Sequence, residues 1–349
     1  EGAPAPQQGV GEGAPAPQQG VGEGAPAPQN RARRRRWWLV ASGAALGVAL
    51  LLRVDAALVL PAFGLGALAV GRRHAGPASA RSVLADATAW VVPVLLALAV
   101  TGWYNDLRFT GPFDSGHGGD PNTLFTGDIA TGLSGWSVSP GKALVLFAPP
   151  LALAALGWRR VWRRRPLAVG VAVGAAVPWL VFHAGLANWE GDEAFGPRFV
   201  VPVLGLLLLP LGAGLELVRG RRLATAGAAA VVVLGVGVQL VGVSVSAIPA
   251  ARAAGTSYDA FAVDDSAIVT SARALARAAR GDPPYPVPPG FPPPPRLDVW
   301  WLRDDPVLRG PRKAVLLIVL VAGAAVGAAG VLGALRKPDE GSARGADAP

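Results

Sequence analysis

Long apolar runs alternate with short arginine clusters along most of this chain, and no other feature constrains its fold as strongly. The first cluster, RARRRR at 31–36, is followed at once by Trp37, Trp38 and an apolar run. Arginine clusters beside tryptophans are typical of the boundary of a membrane-spanning helix. Hydrophobic residues make up 52% of the chain and charged residues 16%, which favours lipid over water as the solvent. We therefore predict an all-α polytopic membrane protein.

The apolar runs predict about eight transmembrane helices, because a helix needs about 20 apolar residues to cross a bilayer. Only Arg53, Val54 and Asp55 separate the first two runs, so 37–71 is either a helical hairpin or one kinked span. The hairpin places every later arginine cluster on the side of the first, as the positive-inside rule requires. The predicted spans are 37–52, 54–71, 84–103, 142–158, 167–187, 199–218, 223–248 and 314–335.

This topology predicts that both termini are cytoplasmic and that three loops, 104–141, 188–198 and 249–313, lie outside. The third loop contains a predicted amphipathic surface helix, Ser266–Arg280. A proline-rich stretch, 283–296, follows it and favours polyproline II. Substrates on the outer face of the membrane would meet these loops.

The two ends of the chain are predicted to be disordered tails around a transmembrane domain at 37–335. Residues 1–36 consist of an 11-residue repeat, GEGAPAPQQGV, and the arginine cluster, and the repeat lacks apolar residues to bury. Residues 336–349 form the predicted cytoplasmic tail. The chain begins at Glu1 and contains no methionine, so we expect that a further N-terminal part precedes it.

Composition excludes several classes of function. The chain has no cysteine, which excludes disulfides and thiolate metal sites, and His74, His117 and His183 are too scattered to predict a metal site. No nucleotide-binding or hydrolase motif is present. The net charge of +9 lies in the clusters between apolar runs, which indicates topology rather than nucleic-acid binding. Abundant Ala, Gly, Val and Arg favour a GC-rich bacterium, such as an actinobacterium, and hence its cytoplasmic membrane.

Two outer loops end in the same way, with a turn and a basic residue directly before an apolar run. These are SPGK at 139–142 and FGPR at 195–198. Helix N-termini present free N–H groups and a positive dipole end, so Ser139, Gly141, Lys142 and Arg198 are candidates for a paired anion site. In the alternative interpretation, the prolines of these turns merely start helices, and the two cations reach lipid headgroups.

Further polar residues of the outer loops are candidates for a cavity or for acid–base chemistry. Arg53 and Asp55 lie near membrane depth, where ionisable groups are often functional, although a hairpin tip would place them at the interface. For each outer carboxylate, a hydrogen-bonding role within its loop is the alternative to a role as general base. The loop candidates are Tyr104, Asn105, Asp106, Arg108, Trp189, Glu190, Asp192, Glu193 and Asp298.

The order of several segments resembles the C-terminal two-thirds of bacterial GT-C glycosyltransferases, the phospholipid carrier-dependent, family 39-like enzymes related to protein O-mannosyltransferases. The resemblance covers roughly 37–335. The segments that carry it are ALGVALLLRVDAALVLPA, YNDLRFTGPFDSGHG, GLSGWSVSPGKALVLFAPPLALA, WEGDEAFGPRFVVPVLGLLLLPL and LDVWW.

The resemblance implies inverting transfer of a sugar from a polyprenyl-phosphate donor to an unknown acceptor on the outer face, with no metal indicated and no nucleic acid involved. It implies that Arg198 holds the leaving phosphate, with Lys142, Gly141 and Ser139 assisting. Tyr104, Asn105, Asp106, Arg108 and Trp189 would shape the cavity. The acidic general base of such enzymes would lie in the preceding N-terminal part, and Asp55 does not match it. The alternatives are a lipid-linked sugar transporter and a non-catalytic membrane fragment.

Overall fold

The computed structural model describes residues 28–74, 80–114, 124–192, 194–245, 259–285 and 310–336. These residues form helices and connecting turns and contain no strand. The repeat at 1–27, the tail at 337–349, His117, Glu193, Asp298 and most of the proline-rich stretch lie outside the described residues. The chain is an all-helical protein, as predicted.

The first three helices form an up-down-up unit. They are α1 (Pro28–Leu52), α2 (Leu60–His74) and α3 (Ala80–Arg108), and a 3₁₀ turn, Val54–Val59, joins the first two. Asp86 of α3 pairs with Arg36 near the start of α1 and lies against Gly71 near the end of α2. The chain therefore reverses direction at Arg53, and 37–71 is a hairpin rather than one kinked span.

Small residues bring α1 and α3 close together. A Cβ atom added at Gly43 would lie 2.3 Å from the carbonyl oxygen of Trp90, and one added at Gly47 would lie 3.0 Å from Ala97 Cβ. Glycine and alanine are typical of helix interfaces in membranes because they let backbones approach closely. The buried side chains Leu39, Leu46 and Leu50 continue this face of α1.

The rest of the described chain consists of helices of very different length. Proline residues begin several of them, where a missing N–H costs no hydrogen bond. They are α4 (Ile129–Val138), α5 (Leu144–Phe147), α6 (Pro150–Arg164), α7 (Pro166–Ala184), the 3₁₀ turn Arg198–Val200, α8 (Val201–Leu207), α9 (Leu211–Val218), α10 (Arg222–Ser244), α11 (Ala267–Ala279) and α12 (Pro311–Arg336).

Five helices in the described part of the chain are long and apolar enough to cross a membrane, and α8 with α9 gives a sixth if the bent pair is one span. The sequence predicts about eight, and the difference arises at two segments that are divided or bent at prolines and at 314–335, whose helix α12 is not among the five. The predicted span 142–158 is divided at Pro149 and Pro150, which leaves α5 with 4 residues and α6 with 15. The predicted span 199–218 bends by 60° near Pro210, which cannot donate a backbone hydrogen bond. The predicted segment 314–335 lies within α12, a helix of 26 residues.

Large apolar side chains cover much of the outer surface of these helices. Val233 and Leu234 of α10 are 69% and 59% exposed, and Leu95 and Leu96 of α3 are exposed as well. Continuous apolar surface of this kind is rare on a soluble monomer. The exposed surface is therefore consistent with a multi-pass helical membrane protein.

The predicted surface helix at 266–280 is present as α11. It buries Ala267, Ser271 and Ala274, which lie on one face, and it packs against α10. Ser266 Oγ donates a hydrogen bond of 2.8 Å to the carbonyl oxygen of Pro140, so the start of α11 is attached to the SPGK turn. This helix therefore covers the end of the bundle that holds the candidate site.

Candidate functional site

The SPGK turn connects the end of α4 to the start of α5 and is almost completely buried. Ser139 and Lys142 are both 0% exposed. Ser139 Oγ accepts a hydrogen bond of 3.0 Å from the backbone N–H of Lys142, which closes the turn. The N–H of Gly141 donates to the carbonyl oxygen of Ala260, which precedes α11. The turn is thus fixed by its own residues and by the chain that leads into α11.

The ammonium group of Lys142 is directed at the loop that precedes Arg198. Its Nζ atom lies 2.8 Å from the carbonyl oxygen of Ala194, 3.4 Å from that of Gly196 and 3.5 Å from that of Asp192. The pKa of Lys142 is lowered to about 8, mainly by burial and also by the positive charge of Arg198, while the carboxylates of Glu190 and Asp192 act in the opposite direction. Lys142 therefore holds the backbone of this loop through hydrogen bonds.

Arg198 begins the 3₁₀ turn that leads into α8, and its side chain is half-exposed. Its guanidinium lies 2.5 Å from Asp192 Oδ2 and 4.9 Å from the centre of the Phe199 ring. Asp192 has a positive φ of 54° and follows Gly191, which has a φ of 79°. This tight turn brings the carboxylate back to Arg198, because such backbone angles reverse the chain within a few residues.

An apolar cavity of about 780 Å³ lies beside Arg198, between the FGPR turn, α5, α8 and α10. Arg198 is the only charged residue among the described residues that line it. Gln239 is the main other polar side chain, and its Nε2 atom donates a hydrogen bond of 2.7 Å to the carbonyl oxygen of Phe147. Most of the lining is apolar and includes Leu144, Phe147, Phe195, Val200, Val201, Leu204, Val232, Val236, Leu240 and Val243.

Aromatic packing fixes one wall of this cavity. The rings of Phe147 and Phe195 meet edge to face with their centroids 5.3 Å apart. Phe195 also fills the space above Gly242, where an added Cβ would lie 2.4 Å from the ring. The cavity therefore has a defined shape rather than one that depends on loosely packed side chains.

The predicted cavity residues at the end of α3 lie elsewhere. Arg108 donates a hydrogen bond of 2.7 Å to the hydroxyl of Tyr104, and its guanidinium covers the Tyr104 and Phe109 rings. Asn105 is buried and donates to the carbonyl oxygen of Pro112, whereas Asp106 is exposed. None of these residues lines the 780 Å³ cavity. They form a local cluster that holds the turn after α3.

Trp189 is buried beside the loop that contains Asp192. Its ring centroid lies 6.3 Å from that of Trp136 and 6.1 Å from that of Phe261. A Cβ atom on Gly135 would lie 2.0 Å from the Trp189 ring, so the indole occupies space that only a glycine leaves free. Trp189 thus packs α4 against the loop that contains Asp192 and does not line the cavity.

A second polar cluster joins the hairpin tip to α7. Arg53 binds Asp55 through its Nε and Nη2 atoms, and Asp55 Oδ2 lies 3.0 Å from Nε2 of the buried His183. His183 Nδ1 lies 2.9 Å from the carbonyl oxygen of Trp179. Both ring nitrogens of His183 are therefore occupied, one by the Asp55 carboxylate and the other by a backbone carbonyl oxygen.

This cluster adjoins the surroundings of Arg198. The ring of Phe199 lies 5.1 Å from that of His183, and the Arg198 guanidinium lies on the same phenyl ring. The indole N–H of Trp179 donates a hydrogen bond of 2.6 Å to the carbonyl oxygen of Phe199. Asp55 and His183 are 128 residues apart, so the sequence does not predict their contact. The only signal is that each is an ionisable residue at the end of an apolar run.

A metal site has no support in the described part of the chain, where no group of three His, Cys, Asp or Glu side chains is placed to hold an ion. His183 has Asp55 as its only carboxylate partner among these residues. The chemistry that the site offers is therefore electrostatic: a half-exposed guanidinium beside an apolar cavity, on a loop that Lys142 keeps in place.

Three comparisons with known proteins found no match to this chain. No protein-family model matches the chain. No curated protein is significantly similar to it, and no solved structure matches it. The resemblance to GT-C glycosyltransferases therefore remains a prediction from the order of sequence motifs, and the candidate site is defined by its own geometry.

Proposed function

We propose that this chain belongs to a membrane glycosyltransferase that takes its sugar from a polyprenyl-phosphate donor. The observation that supports the proposal best is the position of Arg198 at an apolar cavity of about 780 Å³. A polyprenyl phosphate combines a long apolar chain with one anionic group, and this cavity combines an apolar lining with one cation. Its volume lies within the range of typical ligand sites, which is roughly 300–1,000 Å³.

Arg198 is suited to a phosphate because its partner can be exchanged. The ion pair with Asp192 is about half-exposed on both sides, so it contributes little to stability. A phosphate accepts two parallel hydrogen bonds from a guanidinium, which a single carboxylate contact does not match. Binding of the donor would therefore replace Asp192 at Arg198 without unfolding the loop.

In the proposed reaction, a hydroxyl oxygen of the acceptor attacks the anomeric carbon of the sugar from the face opposite the phosphate. The bond between the anomeric carbon and the phosphate oxygen breaks, and its electron pair remains on the leaving polyprenyl phosphate. Arg198 stabilises the negative charge that develops on that oxygen. The proton of the acceptor passes to a base that we do not assign to any residue of this chain.

The proposal is tested by a transfer assay in proteoliposomes with a radiolabelled polyprenyl-phosphate hexose. Arg198→Ala should reduce transfer by about 100-fold, the effect of removing one donor that stabilises developing charge. Arg273→Ala is the matched control, because Arg273 also forms an exposed ion pair but lies on α11, away from the cavity. Equal transfer by the parent and Arg198→Ala would contradict the proposal.

The same assay separates the two alternatives. A lipid-linked sugar transporter would move the labelled donor across the bilayer and leave the glycosidic bond intact. A non-catalytic fragment would bind the donor without consuming it. Ionisable residues deep within spans would favour transport, but the Arg53–Asp55–His183 cluster lies at a hairpin tip and at the end of a helix.

A further inference from the structure

The four consecutive arginines near the start of α1 divide between two faces of the helix. Arg35 and Arg36 face α3, where both pair with the buried Asp86 at 2.6 Å and 3.3 Å. The inward face continues through Leu39 and Gly43, which pack against α3. Because successive helical residues are rotated by about 100°, Arg33 and Arg34 lie on the opposite arc.

The outward arc combines arginines with tryptophans. Trp37 follows Arg33 by one helical turn, and Trp38 follows Arg34 by one turn, so each arginine lies above an indole. All four side chains are exposed, the indoles by 64% and 67%, and they line an open cavity of about 480 Å³. No carboxylate of the described residues pairs with Arg33 or Arg34.

We propose that this arginine–tryptophan facet, Arg33, Arg34, Trp37 and Trp38, binds the headgroup phosphate of an anionic phospholipid. Guanidinium groups bind phosphate through paired hydrogen bonds, and indoles prefer the headgroup level of a bilayer. The facet continues directly into the apolar part of α1, so a lipid whose phosphate sits between the arginines has its chains along the helix.

The surrounding charge selects an anionic lipid over a zwitterionic one. Asp86, which lies against this end of α1, is already neutralised by Arg35 and Arg36. Arg72 and Arg73 are exposed at the end of α2, next to Gly71, which lies against Asp86. The potential at the facet is therefore positive, and it attracts a headgroup with a net negative charge. This proposal does not depend on the proposed glycosyltransferase activity.

The test measures binding of phosphatidylglycerol and phosphatidylcholine to the full chain in detergent by native mass spectrometry. We expect phosphatidylglycerol to bind more tightly than phosphatidylcholine. The double variant R33Q/R34Q should bind phosphatidylglycerol about 30-fold more weakly, because each arginine near a headgroup contributes a several-fold gain in affinity. Its affinity for phosphatidylcholine, which carries no net charge, should fall by a smaller factor.

The matched control is R163Q/R164Q, which removes another exposed arginine pair, at the end of α6. This variant should keep the affinity of the parent for phosphatidylglycerol. An equal loss in both double variants, or no loss in R33Q/R34Q, would overturn the proposal. Displacement of the lipid by inorganic phosphate would indicate a free-anion site and would also overturn it.

Discussion

Lys142 and Arg198 occupy equivalent places in the sequence, each at the end of a turn before an apolar run, but their surroundings in the structure differ. Lys142 is fully buried and its ammonium is bonded to three backbone carbonyl oxygens. Arg198 is half-exposed beside the cavity and has one exposed carboxylate partner. The difference indicates that Lys142 holds the loop in place, whereas Arg198 faces the cavity.

The largest expected effect is on the free energy of unfolding, and it distinguishes Lys142 from Arg198. Lys142→Ala removes the ammonium donor from three carbonyl oxygens and opens a void under the loop, so we expect the free energy of unfolding to fall by about 3 kcal/mol. Arg198→Ala removes a half-exposed ion pair and should change it by less than about 0.5 kcal/mol. Denaturant titration in detergent micelles measures both. Equal effects of the two variants would remove the distinction between them.

The charge of Lys142 gives a pH test of the same distinction. Its pKa in the folded protein, about 8, lies below the value of 10.5 that it regains on unfolding. Between these two values the unfolded chain binds the extra proton, so stability rises with pH across this window. The neutral amine still donates hydrogen bonds to the carbonyl oxygens, while the cost of burying a charge disappears.

We expect the parent to gain about 2 kcal/mol of stability between pH 8 and pH 10.5 relative to Lys142→Ala, a discounted conversion of the pKa difference. Unfolding curves of both proteins at several pH values provide the measurement. A parallel pH dependence in the two proteins would show that Lys142 titrates at its ordinary value.

The cluster at the hairpin tip adds the buried imidazole of His183 to the comparison. Asp55→Ala removes the carboxylate that faces His183 and Arg53, and it leaves a buried ring nitrogen unpaired, so we expect a loss of about 2 kcal/mol. The control is Asp106→Ala, because Asp106 is exposed at the end of α3. Thermal unfolding of both variants measures the effect, and equal stability would mean that the His183 contact contributes nothing.

The smallest effect concerns the partner of Arg198. Asp192→Asn removes the competing negative charge, and asparagine tolerates the positive φ at this position. Binding of a polyprenyl phosphate should become about fivefold tighter, which corresponds to an exposed ion pair of about 1 kcal/mol. Fluorescence titration of the reconstituted protein measures the affinity. Weaker binding would indicate that Asp192 helps to hold the donor rather than competing with it.

The sequence predicts the helical fold and favours the hairpin because both leave a pattern in hydrophobicity and charge. Apolar length identifies helices, and the positions of the later arginine clusters favour a hairpin over one kinked span. The predicted number of spans is not confirmed among the described residues, partly because apolar runs do not reveal that helices are interrupted at Pro149, Pro150 and Pro210. Hydropathy measures transfer to lipid, whereas a helix break depends on backbone hydrogen bonds.

The candidate site is predictable only in part. The turn and the basic residue before an apolar run identify both Lys142 and Arg198, and the structure brings their loops together. Their different roles depend on what lies 50 residues away in the chain, where the carbonyl oxygens of the next loop surround Lys142. The contacts of Asp86 with Arg36 and of Asp55 with His183 are equally non-local. Spacing in a single sequence carries no signal for such contacts.

The central claim is that the cavity beside Arg198 holds the apolar chain of a phosphorylated lipid. A photoactivatable polyprenyl phosphate, crosslinked to the reconstituted protein and mapped by mass spectrometry, tests it most directly. We expect labels on cavity residues of α10, such as Val236, Leu240 and Val243, and loss of these labels in Arg198→Ala. Labels confined to the lipid-facing surface, or an unchanged pattern in Arg198→Ala, would contradict the account.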